Sequence, residues 1–248
     1  MIGKLEKLLN MDDYDLEAVF TPAIVNLLIL DFVFTCTILP VIENTAWWQS
    51  ALAIVAPLAA AVVLTRFIMH FFRAVSRMVF EDSLYRKDKL CFPTTSMLLL
   101  SDNSTGISLI MKKRVRSDLK TLYNRTLLTK TKEDTDPMEA RKTAKNTVVF
   151  IRKTVADSRD TMTRRKLKRY GMFRNFLGGA VFCLPLSIAF WVIDYSRTET
   201  SDPIILTILA FYLLIIVVDF FITKRAAVDY AETLITTFDK LNHDEAQY

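Results

Sequence analysis

Ionisable side chains inside long apolar stretches are the first residues of this sequence that could do chemistry. Asp31 lies within the apolar stretch that begins at Pro22, and Asp219 lies shortly before Lys224. A charged side chain is costly in hydrocarbon, so it is by default a candidate for an ion pathway. A ring of carboxylates from several subunits would favour cations. The candidate pore residues are Asp31, Asn26, Thr35 and Asp219.

The two carboxylates also have structural interpretations. Asp31 could form a hydrogen bond between helices of one subunit. The sequence supports this interpretation and a pore-lining role equally. Asp219 lies near the end of its apolar stretch, which favours a structural role. Its candidate partners are Lys224, Arg66 and Arg174.

A large excess of positive charge separates the two apolar blocks of the sequence. Residues 66–172 contain 25 Lys and Arg against 11 Asp and Glu. A basic face binds phosphate backbones without sequence preference. Membrane topology and anionic lipid, at about 1 kcal/mol per basic side chain, explain the excess equally well. The candidate contacts to ligand phosphates are Lys112, Lys113, Arg114, Arg116, Arg164, Arg165, Lys166, Lys168 and Arg169.

No pattern of catalytic residues stands out. Neither His70 nor His243 is predicted to have a nearby set of acidic or cysteine residues with metal-ligand spacing, and the sequence has no glycine-rich phosphate loop. Solvated helix faces explain the acidic pairs better than catalysis does; these pairs are Asp102 with Asp118 and Asp157 with Asp160. We therefore expect a protein that is not an enzyme and that has no cofactor and no metal site.

Four stretches are long and apolar enough to cross a bilayer, which takes about 20 mostly apolar residues per helix. They run from Pro22 to Ile42, from Trp47 to Thr65, from Phe176 to Ile193 and from Pro203 to Thr223. Buried helices of a soluble protein rarely combine such length with so little charge. The small residues Gly178, Gly179 and Ala180 would permit close contact between helices.

The distribution of charge predicts the topology. Basic residues near the ends of spans stay in the cytoplasm, which places the basic segment and both termini there. The predicted fold is an all-α membrane protein with four transmembrane helices and a mainly helical cytoplasmic domain inserted between spans two and three. The predicted segments are an amphipathic amino-terminal segment (1–21), a transmembrane hairpin (22–65), the basic cytoplasmic domain (66–172), a second hairpin (173–223) and a cytoplasmic carboxy-terminal helix or tail (224–248).

Two helices are predicted within the basic domain. The first covers 108–128, with a stripe through Val115 and Leu119. The second covers 137–157, because Pro137 suits a first helical position and Ala144, Val148, Ile151 and Val155 form one apolar stripe. Residues 96–100 form a buried strand or a short helix.

Several short features together resemble a set of small bacterial four-span proteins. They are FPTT at Phe92–Thr95, the hydrophobic run after it, the helix that begins at the DP pair, and YGMFRNFLGG before the third span. The chain is most similar to the transmembrane effector of Hailong-type phage-defence systems, which is partnered by a nucleotidyltransferase. The resemblance covers most of the chain and implies an oligomeric ion channel, with a tetramer favoured, in the bacterial inner membrane. It further implies control by a nucleotide or oligonucleotide and depolarisation of the cell, but no residue-level site.

Two other functions are compatible with the sequence. The chain could be a non-conducting regulatory or scaffold subunit that recruits a cytoplasmic partner through its basic domain. It could also be a transporter, although the absence of an evident internal repeat makes this less favoured.

Overall fold

The computed structural model describes residues 12–38, 58–81, 92–99, 106–200 and 202–244, and the regular elements in these ranges are all helical. A π-helical turn, Leu16–Phe20, lies within the first helix, and another, Arg77–Glu81, follows the second. The helices are α1 (Asp13–Thr37), α2 (Leu58–Ser76), α3 (Pro93–Leu99), α4 (Leu109–Thr121), α5 (Lys130–Thr135), α6 (Pro137–Asp157), α7 (Thr161–Thr198) and α8 (Pro203–Asp244).

Three of the described helices, α1, α7 and α8, are long and apolar enough to cross a membrane. They contain most of the first predicted span and all of the third and fourth. Most of the second predicted span, Trp47–Thr65, lies outside the described residues, since α2 begins at Leu58. The fourth crossing and the cytoplasmic position of the termini therefore stay predictions.

The chain divides into two compact units. We call residues Met1–Phe80 and Gly171–Thr223 the apolar unit, and residues Glu81–Tyr170 and Lys224–Tyr248 the basic unit. The residues after 223, predicted as a separate carboxy-terminal helix or tail, thus belong to the basic unit. Helices α7 and α8 each contribute residues to both units.

Small residues allow close helix packing in the apolar unit, as predicted. A Cβ atom at Gly178 would lie 2.4 Å from the Phe72 carbonyl oxygen of α2, and one at Gly179 would lie 2.6 Å from Asn26 Nδ2 of α1. Ala180 is fully buried beside them. Any side chain at the two glycines would therefore force the neighbouring helices apart.

Helix α6 confirms the prediction for 137–157. Pro137 occupies its first turn, and Asp136 caps it by accepting a hydrogen bond from the Glu139 N–H at 3.1 Å. The predicted stripe on α6 is buried in a core that also contains side chains of α3, α4 and α8. The core of the basic unit includes Val115, Leu119, Ala144, Val148, Ile151, Val155, Leu234, Ile235 and Phe238.

The helix predicted over 108–128 ends earlier, at Thr121. Asn124 takes a left-handed conformation with φ 51°, and the Arg125 N–H donates to the Leu119 carbonyl at 2.8 Å. The chain reverses at Asn124, and the Arg125 N–H thereby satisfies one carbonyl near the end of the helix. The prediction was wrong at this end because asparagine is a weaker stop signal than glycine. The polar stretch after it forms α5, and residues 93–99 form the short helix α3.

Candidate functional site

Asn26 joins three helices inside the apolar unit. Its Nδ2 donates to the Pro22 carbonyl of α1 at 2.8 Å and to the Phe176 carbonyl of α7 at 3.1 Å. The Tyr212 hydroxyl of α8 donates to Asn26 Oδ1. Since the fully buried amide finds these partners within one chain, its position supports helix packing.

Asp31 and Thr35 lie on a different face of α1, and both are exposed. Their spacing of one helical turn places them above one another. Asp31 lines a groove of about 450 Å³ between α1 and α7 whose other lining residues are all apolar: Ile24, Leu27, Leu28, Leu30, Phe34 and Phe190. The structure thus brings Asp31 and Thr35 together as a polar stripe and separates Asn26 from it.

Asp219 lies on α8 and is 5% exposed. Its Oδ2 atom is buried without a hydrogen-bond partner in the described part of the chain. It contributes to a second groove, of about 370 Å³, with apolar residues that include Val25, Phe176 and Leu214. An unpartnered carboxylate oxygen in such surroundings is costly, so a partner beyond the described residues, such as water or an ion, would stabilise it.

A polar network in the apolar unit was missed by the sequence analysis. The Ser76 hydroxyl donates to Asn175 Oδ1 at 3.1 Å, and Asn175 Nδ2 donates to the Ala18 carbonyl at 2.6 Å. Arg174 is buried next to this amide, with its Nε 3.4 Å from Asn175 Oδ1. The asparagine directly before the third span was the available signal.

The four candidate cations on α4 have different environments. Arg116 contacts Glu133 at 2.9 Å, and Arg114 contacts Asp239 at 2.9 Å. Lys112 is 2% exposed, whereas Lys113 is exposed. Only Lys113 of these four therefore presents an open charge of the kind that a phosphate ligand would meet.

Burial, together with the nearby Arg116 charge, lowers the pKa of Lys112 from 10.5 to about 8. Between about pH 8 and pH 10.5, the unfolded chain therefore binds more protons at this lysine than the folded chain does. The free energy of unfolding should therefore rise with pH across this window. In Lys112→Met, the rise between pH 8 and pH 10 should be smaller, as measured by thermal unfolding in detergent. Equal rises in both proteins would show that the lysine is not desolvated.

The candidate cations on α7 also differ. Lys166 pairs with Asp229 at 3.7 Å, and Lys168 is partly buried. Arg164, Arg165 and Arg169 are exposed. The first turn of α7 is fixed by Asp160, whose Oδ2 accepts a hydrogen bond from the Thr163 N–H at 2.6 Å and whose pKa that threonine lowers. The exposed arginines thus project from a capped helix.

Three metal-capable side chains of the basic unit also converge: Asp118, Asp239 and His243. The sequence analysis did not predict this set. The spacing of Asp239 and His243, one turn apart on α8, was an available signal, since such residues share a helix face. Asp118 comes from α4, so only the tertiary structure could add it.

Comparisons of the chain with protein-family models, with curated proteins and with solved structures give no match. The function is therefore inferred from the residues and their geometry.

Proposed function

We propose that this chain forms a homo-oligomeric pore, with a tetramer favoured, in the bacterial inner membrane. A nucleotide or short oligonucleotide, made by a partner nucleotidyltransferase, controls the pore through the basic unit. The open pore depolarises the cell in antiphage defence. All four predicted spans take part, and both termini lie in the cytoplasm.

The observation that carries this proposal is the exposure of Asp31 on α1. A helix apolar enough to cross a membrane does not leave a carboxylate against lipid, because the charged form has no partner there. The rest of its groove is apolar. Water in a conduction path, or a second copy of the chain, would supply the missing contact. Thr35 extends the same polar stripe by one turn.

The exposed surface of α8 contrasts with this stripe. Its large apolar side chains are open to the surroundings, including Phe211, Leu213, Leu214, Val217 and Phe221. A contiguous apolar face of this kind suits contact with lipid tails or with other subunits. The polar stripe on α1 is therefore suited to water or to a second copy of the chain, and the apolar face on α8 to lipid tails or other subunits. An assembled pore would supply both surroundings.

Exposed cations of the basic unit support the proposed binding of a phosphate-containing ligand. Three cations have the charge and the exposure that phosphate groups require: Arg164 and Arg165 on α7 and Lys113 on α4. The other three candidate cations on α4 support ligand binding less, because they are buried or paired with acidic residues. They are Lys112, Arg114 and Arg116.

The deciding experiment is conductance of the purified protein in a planar bilayer. It is recorded with and without short DNA and RNA oligomers and cyclic nucleotides. Discrete current steps that one of these ligands alters would support a ligand-controlled channel. A silent bilayer that contains inserted protein would instead favour the regulatory or scaffold subunit.

The phosphate-binding role predicts the effect of reversing charge on α7. Arg164→Glu with Arg165→Glu should weaken oligonucleotide binding by 10-fold or more. The slope of log affinity against log salt should fall by about 0.7 for each phosphate that the variant no longer neutralises. Binding is measured by fluorescence anisotropy across a salt series.

The matched control reverses two exposed lysines of α6, Lys142 and Lys145, which belong to no proposed contact. Both double variants change the net charge equally. Equally weakened binding in the two would mean that the ligand senses only total charge, and unchanged binding in the α7 variant would remove this patch from the site.

A further inference from the structure

The cluster of Asp118, Asp239 and His243 has the geometry of a metal site. His243 Nε2 lies 3.2 Å from Asp118 Oδ2 and 3.8 Å from Asp239 Oδ1, and the three ligand atoms lie within 4.8 Å of one another. Nitrogen and oxygen ligands about 2.1 Å from a tetrahedral ion are themselves about 3.4 Å apart. The three atoms therefore already stand close to the spacing that one bound ion imposes.

None of the three ligand atoms forms a hydrogen bond among the described residues, although Asp239 Oδ1 is ion-paired with Arg114. Asp118 Oδ2, Asp239 Oδ1 and His243 Nε2 are all buried without a hydrogen-bond partner among the described residues. Asp118 and Asp239 are 9% and 5% exposed. Buried polar atoms are nearly always satisfied, so three unsatisfied atoms aimed at one another indicate a missing partner. A cation is the partner that two carboxylates and an imidazole share.

We propose that Asp118, Asp239 and His243 bind a divalent transition-metal ion, Zn²⁺ or Mn²⁺. Imidazole suits zinc and carboxylates suit manganese, whereas Mg²⁺ and Ca²⁺ prefer sites made of oxygen alone. Three protein ligands leave at least one position of the ion for water or another ligand. The proposal is independent of ion conduction.

Arg114 contacts this cluster through Asp239. Its Nε lies 2.9 Å from Asp239 Oδ1, yet that oxygen accepts no hydrogen bond in the described part of the chain. A carboxylate oxygen has more than one acceptor position, so Oδ1 can contact both Arg114 and an ion. His243, with 40% of its side chain exposed, gives the ion a path from solvent.

Neighbouring contacts hold the two helices in place around the ligands. The Tyr123 hydroxyl donates to Asn242 Oδ1 at 2.7 Å, and Asn242 Nδ2 donates to the Phe238 carbonyl at 3.0 Å. The asparagine lies directly before His243, and Tyr123 follows the end of α4. A bound ion would fasten the carboxy-terminal turns of α8 to α4 within the basic unit.

The test uses the untagged full-length protein in detergent, stripped of metal with a chelator. Zn²⁺ affinity is measured by competition with a chromogenic chelator, and Mn²⁺ binding by electron paramagnetic resonance. One ion per chain is expected. His243→Gln and Asp118→Asn, which keep side-chain size, should each weaken binding by at least about 10-fold. His70→Ala, which alters the other of the two histidines, should bind as the unaltered protein does.

Two results would overturn the proposal: no binding of either ion, or equal binding by the unaltered protein and by His243→Gln. In both cases the cluster is an ion-paired histidine. Circular dichroism confirms that each variant is folded. Where one variant aggregates, the other and Asp239→Asn decide the result.

Discussion

Replacing Arg116 with alanine is expected to destabilise the basic unit by about 3–5 kcal/mol, because it leaves a buried carboxylate without its partner. Arg116 Nη1 lies 2.9 Å from Glu133 Oε1, and the two side chains are 17% and 5% exposed. The guanidinium also donates to the Leu98 carbonyl at 2.7 Å and to the Leu128 carbonyl. One side chain thus joins α4 to α3, to α5 and to the segment between α4 and α5.

Hydrogen–deuterium exchange of the full-length protein measures this effect. Amides of α4 and α6 should exchange about 100-fold faster, or more, in Arg116→Ala. The matched control is Lys113→Ala on the exposed face of the same helix, which should change stability by no more than about 0.5 kcal/mol. Adding Glu133→Gln to the arginine variant should restore part of the protection, since it removes the unpaired charge. Equal exchange in the two single variants would contradict the structural role of the guanidinium.

Replacing Asp31 with asparagine is expected to lower the cation selectivity of the proposed pore. In a homo-oligomer the change removes one charge from every subunit at the same depth, so the charge lost around the pore grows with the number of subunits. The reversal potential in a salt gradient should move towards that of a non-selective pore. Single-channel recording in planar bilayers measures it.

The matched control for this change is Asp31→Glu, which keeps the charge on the same face of α1. It should retain most of the selectivity while disturbing the groove at least as much as asparagine does. An unchanged reversal potential in Asp31→Asn channels would remove this carboxylate from the conduction path. Asp31 would then fit the other interpretation, a contact between helices.

Local patterns predicted the elements that depend on neighbouring residues. Helix α6 follows from its first-turn proline and its apolar stripe, and the structure confirms both. The close contacts of Gly178 and Gly179 follow from their size alone. The end of α4 was predicted too late, because the left-handed conformation of Asn124 is only one of several that this residue type adopts.

Partners that are distant in the chain could not be predicted in the same way. The sequence presents Lys112 to Arg116 as one cluster of cations, yet the fold places Arg114 beside Asp239 and Arg116 beside Glu133. Charge alone does not distinguish a side chain that stabilises the fold from one that is free to bind a ligand. Burial and distance make that distinction, and both arise only when helices pack.

The sequence by itself determined that this protein is helical and that three of its described helices can cross a membrane, because length, hydropathy and capping act within a few turns. The tertiary structure alone decided which polar residues meet. It placed Asn26 inside a helix contact, left Asp31 exposed, and brought Asp118 to Asp239 and His243. The physical reason is that hydrogen bonds and metal coordination depend on distances of a few ångströms, and packing between remote segments sets those distances.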